Sequence, residues 1–175
     1  ETAENQARTL ACLFWDARHR FKFTTEAHPL DTALALAADF AGNPVIVGDS
    51  GDNPTAGASK DLAYALERLL SQPRPDTLHA VIVDAAAVGR CQAAAPGQVI
   101  DLALGRIDNT PDAPPLQVRA TLVRCGYYGQ ARCAVLKISN ITVIITDRKM
   151  SVYDPTLVEN LGLDLNAFKI IVVKS

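Results

Sequence analysis

The sequence predicts an α/β protein built on a mixed sheet, with an N-terminal parallel βαβ portion flanked by helices and a C-terminal, mainly antiparallel portion. Up to about residue 95, short apolar runs alternate with amphipathic helical stripes, the order that feeds a parallel sheet. Beyond Pro96-Gly97 the helical period gives way to strand-like runs joined by tight turns. The run 78–83 is apolar almost throughout, as a strand covered on both faces requires.

Residues 2–22 read as one amphipathic helix, with Ala3, Ala7, Leu10, Phe14 and Phe21 near one face and Trp15 at its edge. Arg8, Asp16, Arg18 and Arg20 fall elsewhere. A polar link leads to an Ala-rich helix over 30–40, with Leu30, Ala33, Leu34 and Ala37 in register, stopped by Gly42-Asn43-Pro44. The first strand is 45–47. A third helix is expected over 60–70, capped by Ser59, with Asp61 in its first turn and Leu62, Leu66, Leu69 and Leu70 as its buried stripe. Gln72-Pro73-Arg74-Pro75 closes it. Strand 78–83 follows, and its connection to the first strand favours parallel pairing with a right-handed crossover. Asp84 caps a short helix over 85–94.

The remaining strands are expected over 99–104, 116–124, 134–139, 142–146 and 169–173. The stretch 105–115 is rich in Gly, Asp and Pro and reads as a loop, Gly126-Tyr127-Tyr128-Gly129 as a turn, and Ser139-Asn140-Ile141 as a hairpin turn. A short helix over 155–161 ends at Gly162.

The chain has 175 residues, 49% of them apolar and 6% aromatic, enough for one domain with a real core. Its net charge of −2 is spread along the chain without a basic stripe, which argues against nucleic acid as a partner. No apolar run approaches the roughly 18 residues of a membrane helix, so no membrane is expected either. The start falls in mid-helix without a signal-like segment, and the end falls on a strand, so residues 1–175 read as a single domain cut from a longer protein. Cys12, Cys91, Cys125 and Cys133 make no CxxC pair. They fit a reducing, cytoplasmic setting as small buried apolar residues, with Cys125 and Cys133 on neighbouring strands.

The most telling stretch is the loop from Gly48 to Gly57, with Asp49, Asp52, Asn53, Thr55 and Gly57, leading to Ser59. It lies at the carboxyl end of a strand, where open α/β sheets bind ligands. Lys174 and Ser175 end the last strand and could face the same cleft. Known phosphate and metal patterns fail. Gly57 is followed by Ala58-Ser59-Lys60 rather than Lys-Ser or Lys-Thr, and no GxGxxG occurs. As a calcium loop it has Gly51 at a ligand position, Pro54 in place of glycine and Lys60 in place of the bidentate Glu. Two readings stay open: free N–H groups at a helix tip holding a carboxylate or phosphate, or an acidic turn whose side chains bond their own backbone.

His19, His28 and His79 lack metal-ligand spacing and read as solvated or structural, and no GxSxG elbow occurs. Arg124, Arg132, Arg148 and Lys149 read as solvated turn ends. Tyr127-Tyr128 reads as a loop tip.

The run Asp49-Ser50-Gly51-Asp52-Asn53-Pro54-Thr55-Ala56-Gly57 resembles the Asp-x-x-Asp-Asn-Pro-x-x-Gly loop of the C-terminal domain of MlrC-like proteins. Asp84-Ala85-Ala86-Ala87-Val88, the stretch from Gly97 to Gly105, and Ile141 to Arg148 resemble further segments of that domain. So do Asp154 to Asp164 and the ending Ile170-Ile171-Val172-Val173-Lys174-Ser175. The family is named for a bacterial protein that degrades linearised microcystin and is classed among zinc metallopeptidases. The resemblance implies a bacterial, cytoplasmic hydrolase whose zinc and catalytic acid lie in an N-terminal domain outside this chain. No metal ligand is carried onto this sequence. The implied partners are that catalytic domain and a small peptide or amide substrate, with Asp49, Asp52, Asn53, Thr55, Gly57, Ser59, Lys174 and Ser175 at the substrate or interdomain surface and the isolated domain inactive. Many relatives have Gly-Gly-Gly where Thr55-Ala56-Gly57 stands, so this loop has less backbone freedom to cradle an anion. The alternatives are a non-catalytic module binding a small anionic ligand or a partner protein, and a free-standing phosphate-binding α/β domain.

Overall fold

The computed structural model describes residues 2–72, 75–105, 114–152 and 154–174. The 105–115 loop and the Pro73-Arg74 stop therefore fall largely outside the described residues, as does Ser175. The described elements run α1 (Ala3–Ala17), α2 (Leu30–Asp39), β1 (Val45–Asp49), α3 (Tyr64–Leu70), β2 (Thr77–Val83), α4 (Ala85–Gln92) and β3 (Val99–Leu104). They continue with β4 (Leu116–Tyr128), β5 (Ala131–Ile138), β6 (Ile141–Thr146), α5 (Thr156–Asn160) and β7 (Ile170–Lys174).

All seven strands join one sheet in the order β1-β7-β2-β6-β5-β4-β3. β1, β7, β2 and β6 run parallel, and β5, β4 and β3 extend the sheet antiparallel. The mixed α/β class read from the sequence is therefore the class observed. One connection differs. β1 and β2 are parallel but not neighbours, because the C-terminal strand β7 inserts between them and pairs with both. An apolar strand buried on both faces finds its best place in the interior of a sheet, and β7 is buried at Ile170, Ile171 and Val172.

Each sheet face carries its own core. Leu34, Leu66, Leu69, Val88 and Cys91 of α2, α3 and α4 close over Ile82, Leu136, Val143, Ile145, Ile170 and Val172. On the other face Leu157, Val158, Leu161 and Phe168 cover Leu78, Ala80, Val81, Val135, Ile144 and Ile171. The register slips between Ala80 and Ile82, so Val81 joins the second face and Ile82 returns to the first. Lys169 Nζ donates to the Gly42 carbonyl at 2.7 Å and to that of Phe40, which fixes the segment after α2 to the start of β7.

Several boundaries depart from the sequence reading. α1 ends at Ala17, and Phe21 instead folds back to stack on Phe14 with ring centroids 6.0 Å apart. β4 continues through Tyr127 and Tyr128, so the turn is Gly129-Gln130, with Gly129 at φ 56°. Tyr128 packs into the second core while Tyr127 stays exposed. Cys91 and Cys133 are buried, but Cys12 and Cys125 are exposed, against the expectation of four buried thiols. Cys125 pairs with Ala134, and Cys133 with Gly126, on adjacent strands, and both thiols are free. No helix among the described residues is long and apolar enough to cross a membrane.

Candidate functional site

The carboxyl ends of β1, β7 and β2 converge under the loop that follows β1. Strand alternation points Lys174 to the same face as Ile170 and Val172, so a cation is delivered into the margin of the first core. Its side chain has no exposed surface. A buried ammonium needs an anion and full hydrogen bonding. The loop from the neighbouring strand supplies both.

Asp52 turns inward and is 2% exposed. One carboxylate oxygen, Oδ1, accepts from the Lys60 amide at 2.7 Å. The other, Oδ2, accepts from the Leu62 amide at 3.0 Å and from Lys174 Nζ at 2.7 Å. Lys174 Nζ also donates to the carbonyls of Leu62 at 2.5 Å and Lys60 at 3.3 Å, which accounts for its three protons. Lys60 is buried as well, and its Nζ donates to the carbonyls of Met150 at 2.9 Å and Lys174 at 3.1 Å. The Lys60 carbonyl in turn accepts from the Val83 amide at 3.0 Å, so a single residue ties the loop to the ends of β2 and β7. Burial first, and then the Lys174 charge, lower the Lys60 ammonium to about 8. Burial likewise lowers Lys174, against the opposing pull of Asp52.

This latch explains why no helix starts at Lys60. Lys60 takes φ 65°, the left-handed region, to aim its amide at Asp52 and its side chain inward. The helix therefore begins only at Tyr64, with Ala63 rather than Ser59 at its N-cap and without a side-chain cap. Asp61 lies before the helix and accepts a hydrogen bond from the Ser59 hydroxyl.

The other loop residues bond locally. Asp49 Oδ1 accepts from the Gly51 amide at 2.9 Å. Asn53 caps the short 3₁₀ turn Pro54–Ala56, its Oδ1 accepting from the Thr55 amide at 2.8 Å and the Thr55 hydroxyl at 2.6 Å. Gly57 closes that turn at φ 95°, a conformation glycine takes without strain. Thus Asp52 and Lys174 meet directly. Asn53, Thr55, Gly57 and Ser59 form an outer rim that is exposed or half-buried, with Asp49 half-buried at the end of β1.

Two further groups anchor the neighbourhood. Asp84 caps α4 through the Ala87 amide at 2.8 Å, as its position in the sequence indicates, and its second oxygen accepts from the Gly105 amide at 3.1 Å. His79 sits opposite Val172 in the sheet and is fully buried, with no hydrogen-bond partner for either ring nitrogen among the described residues. Burial, followed by the Lys174 charge, lowers it to about 3, so it is neutral. Sequence reasoning missed Lys60. It underrated His79, although a histidine inside an otherwise apolar strand is a readable sign of burial. Of the arginines read as solvated turn ends, Arg132 instead pairs with Asp147, whose side chain is 5% exposed, at 2.8 Å, and reaches Gln92 at 2.9 Å.

Among the described residues no three His, Cys, Asp or Glu side chains converge to hold a metal ion. The zinc that the resemblance implies would lie in a domain outside this chain, and these residues are given no part in holding it.

The fold defines a class: a three-layer α/β domain whose parallel strand ends are bridged by an acidic loop latched onto the terminal strand. The chain belongs to the family described as MlrC C-terminus, whose model matches residues 47–175. Among solved structures it is similar to the crystal structure of a protein named "Putative metallopeptidase" from Mesorhizobium sp. BNC1, with a TM-score of 0.80 and 22% sequence identity. That likeness covers 96% of this chain and 36% of the other, and at this identity it speaks for the fold. No curated protein is significantly similar in sequence.

Proposed function

We propose that this chain is the C-terminal accessory domain of an MlrC-like, metal-dependent peptidase or amide hydrolase, walling the substrate cleft of a catalytic domain in the same polypeptide. The family match over 47–175 carries the reading. The metallopeptidase name borne by a longer protein of the same fold supports it. In this reading zinc is held by the other domain and activates water when bound. The free thiols agree with a reducing bacterial cytoplasm.

In this reading the loop residues have different parts. Asp52 and Lys174 brace the wall from inside. Asn53, Thr55, Gly57 and Ser59 face outward, with Asp49 beside them. The Thr55 and Ser59 hydroxyls each donate their hydrogen within the loop. Their remaining lone pairs can only accept. With Asp49 and Asp61 beside them, the rim suits the N–H groups or amino end of a small peptide or amide substrate. An anionic ligand is less well served. The buried ammonium groups of Lys60 and Lys174 point inward onto carbonyls and Asp52, and the nearest helix starts at Tyr64.

The test compares the 175-residue chain with the longer polypeptide that carries it, using linear peptides with and without a metal chelator. Hydrolysis is expected from the longer protein only, and chelation abolishes it. Chelator-sensitive hydrolysis by the purified 175-residue chain alone would refute the accessory role. A thermal shift of that chain with inorganic phosphate, and none with peptides, would favour the anion-binding module.

A further inference from the structure

Helix α1 has no buried residue along its 15 positions. Yet Leu10, Leu13, Phe14 and Trp15 are 56–65% exposed, and Phe21 and Phe23, just beyond, are 63% and 74% exposed. At 100° per residue Leu10, Leu13 and Phe14 share one stripe with Ala3, Ala7 and Ala17. Phe21 stacks on Phe14 and extends that stripe. Trp15 lies off it, under the Arg18 guanidinium at 4.2 Å. Large side chains on a helix that covers nothing mark a surface meant for a partner.

We infer that the Leu10–Leu13–Phe14–Phe21 face of α1 docks against an apolar surface of a second folded domain joined to this chain in one polypeptide. Two observations select that occupant over a second copy of the chain. First, the family unit begins at residue 47, whereas the likeness to the longer solved protein takes in 96% of this chain, so the shared fold reaches back to α1. Only 36% of that longer chain is matched, which leaves most of it to meet such a helix. Second, the area is small. A 15-residue helix is about 22 Å long and about 10 Å wide, a footprint of a few hundred Å². A stable complex between separate chains buries about 800 Å² on each partner. A tether supplies an effective concentration in the millimolar range and lets a small contact hold. The partner domain is the catalytic one of the reading above, on which this inference rests.

Hydrogen exchange of the α1 amides tests it in both the longer protein and the 175-residue chain. Exchange is expected to be at least about 100-fold slower in the longer protein, where opening α1 requires undocking. Phe14→Glu should abolish that protection and lower the melting temperature of the longer protein. The same substitution should leave the melting temperature of the 175-residue chain unchanged, since α1 buries nothing there. Equal exchange in the two proteins would overturn the docking. So would concentration-dependent dimerisation of the 175-residue chain that Phe14→Glu abolishes, which would assign the face to a second copy. The readout does not depend on hydrolysis. Protection without peptidase activity would keep the docking and sink the functional reading.

Discussion

Asp52→Ala asks most directly whether the loop carboxylate is a brace or a ligand contact. In the folded chain the substitution leaves Lys174 Nζ without its anion, inside a side chain that has no solvent exposure. It also removes the acceptor of the Lys60 and Leu62 amides. Breaking a buried ion pair from one side costs ~3–5 kcal/mol. Each orphaned amide that stays buried adds ~1–3 kcal/mol. An escape caps the sum: burial already lowers Lys174, so without Asp52 it can release its proton. The expected loss is therefore about 3–5 kcal/mol in total, or on the order of 10 °C in melting temperature for a domain of this size. Urea unfolding followed by far-UV circular dichroism measures it. Trp15 fluorescence does not serve, because Trp15 sits on α1, outside both cores. Pairing Asp52→Ala with Lys174→Met should recover part of the loss, with a coupling energy of about 2 kcal/mol or more. A loss under about 1 kcal/mol would refute the latch, and so would a gain in stability, the usual result when a carboxylate held for a ligand is removed.

Two titrations and one backbone test follow. Lys60 is lowered to about 8 from its ordinary 10.5, so between those values the unfolded chain holds more of the proton and stability rises with pH. The slope is at most ~1.4 kcal/mol per pH unit, and Lys60→Met should flatten it in urea titrations between pH 8 and 10.5. His79 is lowered to about 3 from 6.5, so acidification across that range favours the unfolded chain, which takes up the proton. His79→Leu should remove this acid sensitivity and be neutral or stabilising at pH 7, since it deletes two buried nitrogens that have no hydrogen-bond partner among the described residues. Gly105 stands at φ 79°, where an added methyl would be driven into the Asp61 carbonyl oxygen. Gly105→Ala should therefore cost roughly 2–4 kcal/mol in thermal unfolding. Gly89→Ala, in α4 with open space around it, should instead stabilise by about 0.5–1 kcal/mol.

Much of the fold is legible in residue order. The almost wholly apolar run of β2, the cap at Asp84, the hairpin turn expected over Ser139-Asn140-Ile141, which closes at Ser139-Asn140, and the Gly162 stop after α5 are local signals, and each appears where the residues place it to within a residue or two. Boundaries move where a distant contact outweighs the local one. Lys60 leaves the helix because Asp52 and Lys174 compete for its amide and carbonyl. Tyr127 and Tyr128 stay in β4 because Arg132 and Ala131 offer strand partners. The candidate site divides the same way. The acidic loop at the end of β1 is visible in the sequence, and so is its likeness to the MlrC C-terminal family, now matched over 47–175.

The sequence alone determines the layers: apolar periods of two and of 3.6 residues dictate which segments become strands and which become the helices that cover them. It also determines the family, because the Asp-Asn-Pro loop and the Val-Lys-Ser ending are written in the order of residues. Tertiary structure alone decides that β7 enters between β1 and β2, and that it brings Lys174 within 2.7 Å of a carboxylate 122 positions earlier in the chain. No local pattern encodes that meeting. It arises because a cation carried to the edge of a core must find an anion, and only the closed sheet sets Asp52 within its reach.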